Sequence, residues 1–119
     1  MRKILVVDDE PNVRFLVCVI LEGAGYEVVE ARHGTVALAR VQESQPDLVI
    51  TDLMMPVMGG LELIDRLRSD PETAAIPILV LSANVNLRAG AADAALAKPF
   101  DPDALVASVQ TLVQEGGSR

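Results

Sequence analysis

Aromatic residues are scarce in this 119-residue chain: no tryptophan, one tyrosine and two phenylalanines. Yet half of its residues are hydrophobic, so the core has to be assembled from Val, Leu, Ile and Ala. Basic residues are outnumbered as well, 10 Lys and Arg against 17 Asp and Glu, for a net charge of -7. That balance argues against nucleic acid or an anionic membrane as the main partner and leaves room for a cation. A single cysteine, Cys18, allows no internal disulfide, which suits a reducing compartment. Long apolar runs are missing too. The longest, Phe15 to Leu21, is too short to span a bilayer. Met1-Arg2-Lys3 is followed by only four apolar residues before two aspartates, unlike a signal peptide. Nothing repeats internally, and no low-complexity stretch or linker divides the chain. The expectation is one cytoplasmic domain over 1–119, large enough for a single core, with a flexible tail at 116–119.

What is present alternates between two patterns. Short apolar runs rich in β-branched residues read as strands: KILVV (3–7), YEVVEA (26–31), DLVIT (47–51) and IPILVLS (76–82). Longer amphipathic stretches at 12–25, 35–45, 60–69 and 101–115 read as helices. In the first of these, Val13, Leu16, Val17, Ile20 and Leu21 form an apolar stripe, but Phe15, Cys18 and Val19 make it apolar nearly all round. It is either a deeply buried helix or one with a patch for a partner helix. In the last, Asp101 can cap, Pro102 suits the first helical position, and Leu105, Val106, Val109, Leu112 and Val113 form one stripe. A fifth strand has to lie near Ala94 to Ala97, inside the alanine-rich RAGAADAALAKPF (88–100). Apolar strands alternating with helices imply parallel βαβ units and a sheet buried on both faces. The fold class is therefore α/β, an open, doubly wound, five-stranded parallel sheet.

Ligands of such sheets sit at the carboxyl ends of the strands. Asp8, Asp9 and Glu10 follow the first strand, Asp52 the third, Ser82 the fourth and Lys98 the fifth. Each has an ordinary explanation alone. Asp9 can cap the helix that starts near Pro11, and Asp52 can cap the loop after it. Together they mean more. Crowded carboxylates repel and resist ionising, and a hard cation with oxygen ligands resolves this; Mg²⁺ suits one or two carboxylates, waters and a phosphate. Asp52 then becomes a nucleophile toward a phosphoryl group. The oxygens of the resulting acyl phosphate need the metal, a hydroxyl such as Ser82 and a cation such as Lys98. The remaining candidates carry less. Met54, Met55 and Met58 read as loop packing, Pro56, Gly59 and Gly60 as turn residues, Cys18 as a small buried side chain, and His33 as a loop residue without partners.

VVDDE (6–10), DLMMPVMGG (52–60), LSA (81–83) and KPF (98–100), in this order along the whole chain, resemble the receiver domain of two-component response regulators. The resemblance implies the strand order 2-1-3-4-5. It implies that Asp8, Asp9 and Asp52 hold Mg²⁺, with Mn²⁺ as an alternative ion, and that the Met54 backbone carbonyl adds a ligand. Asp52 would accept a phosphoryl group from a histidine kinase or a histidine phosphotransfer protein. Ser82 would bind a phosphoryl oxygen and Lys98 would pair with it. Such a domain is not an enzyme beyond accepting the group and losing it slowly, is a monomer or a weak phosphorylation-dependent dimer, and acts on a downstream protein rather than on nucleic acid or a membrane. The Lys98-Pro99 peptide is expected to be cis.

Two features depart from the family. Ala95 stands where a Tyr or Phe usually precedes the lysine by three residues. Only Ala83 to Asp93 join the fourth and fifth strands, about six residues fewer than usual, roughly one and a half helical turns. The helix there is expected to be short or irregular, in keeping with Asn84, Asn86 and Gly90. Other readings fit less well. A haloacid-dehalogenase-type phosphatase needs a second aspartate where Met54 stands. A flavodoxin-like cofactor binder needs a phosphate loop where two aspartates stand. A degenerate receiver, binding partners without phosphorylation, would not need the complete acidic set.

Overall fold

The computed structural model describes residues 2–53, 58–83 and 92–117. Its strands are β1 (Lys3–Val7), β2 (Glu27–Ala31), β3 (Leu48–Asp52), β4 (Ile78–Ser82) and β5 (Ala94–Ala97), and its helices α1 (Pro11–Gly23), α2 (Gly34–Ser44), α3 (Gly60–Ser69) and α4 (Pro102–Gly117). The strands form one parallel sheet in the order β2-β1-β3-β4-β5. The expected fold class and strand order are both present. Most of the crossover between β4 and β5, residues 84–91, lies outside the described residues, and with it the expectation of a short or irregular helix there.

Alternation along each strand divides the core in two. Ile4, Val6, Leu48, Ile50, Leu79 and Leu81 point to one face, where Val17 and Leu21 of α1 and Leu105 and Val109 of α4 cover them. Leu5, Val7, Val49, Ile78 and Val80 point to the other, covered by Ala37 and Val41 of α2 and Leu63, Ile64 and Leu67 of α3. Each fully buried Leu, Ile or Val contributes about 1.5–3 kcal/mol, so aliphatic side chains suffice where aromatics are scarce. Asp101 caps α4 as expected: its carboxylate accepts from the Asp103 amide at 2.9 Å.

Two expectations about single helices change. In α1 the buried face is Val17, Cys18 and Leu21. Leu16, assigned to the core stripe, is 49% exposed, and Phe15 and Val19 are 69% and 48% exposed. The deeply buried reading of α1 therefore fails. The helix lies on one side of the sheet, with α4 as its only helical neighbour on that face among the described residues, so a nearly all-round apolar helix must leave one flank open. His33, read as partnerless, is the cap of α2: its Nδ1 accepts from the Val36 amide at 3.4 Å. Cys18 is buried as expected; burial and then the charge of Glu30 push its thiol up to about 12, which keeps it unreactive.

Candidate functional site

The site is built by strand register. Val7 stands beside Thr51, Asp52 beside Leu81, and Ser82 beside Ala97. The residues at or just after these strand ends, Asp8, Asp9, Asp52, Ser82 and Lys98, therefore gather at one edge. The backbone secures it: the Asp8 amide donates to the Ala31 carbonyl at 3.1 Å, and the Lys98 amide to the Ser82 carbonyl at 2.8 Å. The Lys98-Pro99 peptide is cis.

Asp8, Asp52 and Ser82 are buried, while Asp9 is exposed. One carboxylate oxygen from each of Asp8, Asp9 and Asp52 lies within 4.8 Å of the others. Asp9 does not cap α1. The cap position is Glu10, without a side-chain cap bond, and the Glu10 amide is taken by Asp8 Oδ1 at 2.9 Å. Three hard oxygen donors, two of them held in a buried corner, are a donor set that fits Mg²⁺. The Met54 carbonyl lies outside the described residues, as do Met55 and Pro56.

Lys98 reaches into this corner. Its Nζ is 3.0 Å from Asp8 Oδ2 and 3.3 Å from Asp52 Oδ2. Burial alone would lower the pKa of this amine. The hydrogen bond and charge of Asp8, followed by those of Asp52, outweigh burial and raise it. One ammonium thus offsets the repulsion of two carboxylates while its side chain remains only 17% exposed. Ala95, the site of the missing aromatic, is on the exposed side of β5.

Two residues matter more to this geometry than the sequence alone suggests: Arg14, which the sequence does not single out, and Gly60, which reads there only as a turn residue. Arg14, on the first turn of α1, donates from Nη1 to the Asp8 carbonyl at 2.7 Å and from Nε to Glu30 Oε1 at 3.0 Å. It braces the backbone of the loop that carries the acidic pair. An arginine on the first turn after an acidic loop is the signal that could have found it. Gly60 starts α3 against β3. Its amide donates to the Leu53 carbonyl at 3.0 Å, and a Cβ there would run into the Asp52 carbonyl oxygen and stand 2.8 Å from Leu53 Cα. Met58, read as loop packing, is part of the core and fills the space beside Gly34.

The family model of the response regulator receiver domain matches residues 4–110. This chain belongs to that family. As a receiver domain it is a component of two-component signalling, and the phosphatase and flavodoxin-like readings are set aside. It is 39% identical to the DNA-binding dual master transcriptional regulator RpaA of Synechocystis over 120 residues, 96% of this chain and 50% of RpaA. It is likewise 39% identical to the phosphate regulon transcriptional regulatory protein PhoB of Pseudomonas aeruginosa, over 98% of this chain and 53% of PhoB. The chain thus spans about half the length of these relatives. Among solved structures, the chemotaxis protein CheY4 of Vibrio cholerae superimposes with a TM-score of 0.89 at 36% identity, over 94% of this chain and 98% of that one. The response regulator TrrA of Thermotoga maritima, solved in complex with Mg²⁺ and BeF, gives 0.86 at 37% identity, over 94% and 99%. Among the described residues no helix of this receiver is long and apolar enough to cross a membrane.

Proposed function

We propose that residues 1–119 act as one phosphoacceptor domain in which Asp52 takes a phosphoryl group from a histidine kinase or a histidine phosphotransfer protein. The observation that carries this reading is the Lys98 ammonium held between the Asp8 and Asp52 carboxylates in a chain of this family. Asp8, Asp9, Asp52 and the Met54 carbonyl would hold Mg²⁺, or Mn²⁺ in its stead, which when bound neutralises charge on the phosphoryl oxygens. A carboxylate oxygen of Asp52 attacks phosphorus. The P–N bond of the donor phosphohistidine breaks, its electron pair stays with the imidazole, and an acyl phosphate forms. Lys98 exchanges its contact with the Asp52 carboxylate for one with a phosphoryl oxygen, and the Ser82 hydroxyl donates to another. Apolar Met54 cannot orient a hydrolytic water, so the acyl phosphate is lost slowly and the domain does not turn over as an enzyme. The degenerate-receiver alternative gains no support from a site in which the three aspartates, Ser82 and Lys98 are all present.

The setting of the reaction is the cytoplasm, with the domain a monomer or a weak phosphorylation-dependent dimer acting on a downstream protein. The apolar flank of α1, exposed at Phe15, Leu16 and Val19, rises directly from the acidic loop. It receives a helix of the phosphodonor protein. Replacing Phe15 and Leu16 with glutamine should slow transfer from that donor about tenfold or more while labelling by acetyl phosphate stays at the wild-type rate. Unchanged transfer in a folded variant would remove α1 from the docking surface.

The phosphoacceptor reading itself is tested with acetyl phosphate and Mg²⁺ followed by intact mass. Wild type should gain one phosphoryl group and Asp52→Ala none. Labelling of the alanine variant, or none of wild type, refutes it.

A further inference from the structure

Lys98 has to arrive at the site from a strand that is poorly equipped to find its place. Register is ordinarily specified by large side chains alternating between faces. β5 offers Ala94, Ala95, Leu96 and Ala97, three methyl groups and one large side chain, and it is an edge strand paired to β4 alone. A slip of one residue would carry Lys98 by about 3.3 Å and turn its side chain to the opposite face. Its contacts of 3.0 and 3.3 Å with Asp8 and Asp52 tolerate neither.

The far end of the strand supplies what its side chains lack. Asp93, just before β5, grips both polar backbone groups of Ile78 at the start of β4. Its amide donates to the Ile78 carbonyl at 2.9 Å, and its Oδ2 accepts from the Ile78 amide at 2.8 Å. The same oxygen accepts from Arg68 Nη2 at 2.7 Å. Arg68, in the last turn of α3, is itself anchored, its Nη1 donating to the Ala74 and Ile76 carbonyls at 2.7 Å each. One ion pair therefore ties α3, the 70–77 connection and the beginnings of β4 and β5 together. At the other end the Lys98 amide meets the Ser82 carbonyl.

We propose that Asp93 and Arg68 are positioning residues for the phosphoryl-transfer site: they set the register of β5 and thereby deliver Lys98 to Asp8 and Asp52. The inference rests on the reading of Lys98 as the cation of that site. Five residue steps, about 16 Å, separate Asp93 from Lys98, so the clamp never touches the phosphoryl group and acts through the backbone. Its chemistry explains why aspartate serves here. The side chain is short enough to return to the Ile78 amide while its charge holds the guanidinium.

A double-mutant cycle in the full chain tests this, with labelling rates measured in acetyl phosphate and Mg²⁺. Misplacing a reacting group by about 1 Å can cost as much as about 100-fold. Asp93→Ala is therefore expected to slow labelling at least about tenfold in the presence of Lys98 and less than about twofold in a Lys98→Ala background. Asp93→Asn, which keeps an oxygen for the Ile78 amide, should recover most of the rate. A loss of equal size in both backgrounds marks a merely structural role and overturns the proposal, as does a folded Asp93→Ala that labels at the wild-type rate. Should Asp93→Ala fail to fold, Arg68→Gln, which leaves Asp93 on Ile78, carries the same cycle, with a smaller loss that again vanishes in the Lys98→Ala background. Amide exchange of Leu96 and Lys98 needs no phosphodonor and separates the two readings. Faster exchange in Asp93→Ala supports the register role even where labelling fails in wild type, and unchanged exchange overturns it.

Discussion

Replacing Lys98 with alanine should slow labelling of Asp52 by acetyl phosphate roughly 100- to 1,000-fold, the usual loss when one charge-stabilising donor is removed. The same change should alter stability in a way that Mg²⁺ reverses. In wild type the ammonium stands 3.0 Å from Asp8 and 3.3 Å from Asp52. Without it, two close carboxylates, Asp8 almost wholly buried, face each other uncompensated. Breaking a fully buried pair costs 3–5 kcal/mol; with the neighbouring Asp9 open to water, the loss should be at the low end, about 3 kcal/mol. A divalent cation replaces the missing charge, so the melting temperature of the variant should rise more on adding Mg²⁺ than that of wild type. Alkaline titration offers a further check in metal-free buffer. Folding raises the lysine's pKa above its ordinary 10.5. Its stabilising contribution is therefore complete below that ordinary value and disappears as pH climbs through the raised one. Wild type should lose this contribution above about pH 10.5, whereas Lys98→Ala has none to lose. A variant that labels and melts like wild type would remove Lys98 from the site.

Much of this arrangement is legible in the chain before any coordinates. Runs such as KILVV and DLVIT have one interpretation in a parallel sheet, because both faces of these strands are covered and their inner positions, Ile4 to Val7 and Leu48 to Ile50, are apolar. Once the strands are identified, their carboxyl ends name Asp8, Asp9, Asp52, Ser82 and Lys98 without further information. What the sequence conceals depends on which neighbour reaches a group first. On paper Asp9 can cap the first helix. In the folded loop Asp8 Oδ1 takes the Glu10 amide, and Asp9 is left to the acidic cluster. Leu16 lies on the helical stripe, yet a helix that meets the sheet on one side cannot bury a stripe that wide, and Leu16 falls on its open flank. His33 is a capping residue because an imidazole nitrogen can accept as a hydroxyl or carboxylate does, a role not among the usual cap signatures. The Arg68–Asp93 clamp spans 25 residues, and no periodicity encodes a contact of that kind.

Gly60→Ala and Gly34→Ala should differ sharply, although both glycines begin helices and both lack room for a Cβ. At Gly34 the added methyl would stand 2.7 Å from the Cγ and Sδ atoms of Met58 and 2.8 Å from its Cβ. A rotamer change carries the Cγ and Sδ of Met58 away, and only its Cβ, fixed to the backbone, then has to shift by a few tenths of an ångström. The expected cost is about 1–2 kcal/mol, the lower part of the overpacking range, with phosphoacceptance intact. At Gly60 the obstruction is backbone: the carbonyl oxygen of Asp52 and the Cα of Leu53. Neither has a rotamer to change. Either α3 retreats, opening a gap over Leu63, Ile64 and Leu67, or the end of β3 shifts and takes the Asp52 carboxylate with it. Both outcomes are costly, the first in core packing and the second in the spacing of Asp52 from Lys98 and Asp8. Gly60→Ala should lose about 3 kcal/mol, the high end of the overpacking range, and in the fraction that remains folded should label with acetyl phosphate at least about tenfold more slowly. Thermal melting and intact-mass labelling of the two variants side by side measure both effects. Equal behaviour of the pair would mean that the chain relieves the Asp52 contact as easily as it moves a methionine, and the tight seat of α3 against the phosphoacceptor strand would then play no part in holding Asp52.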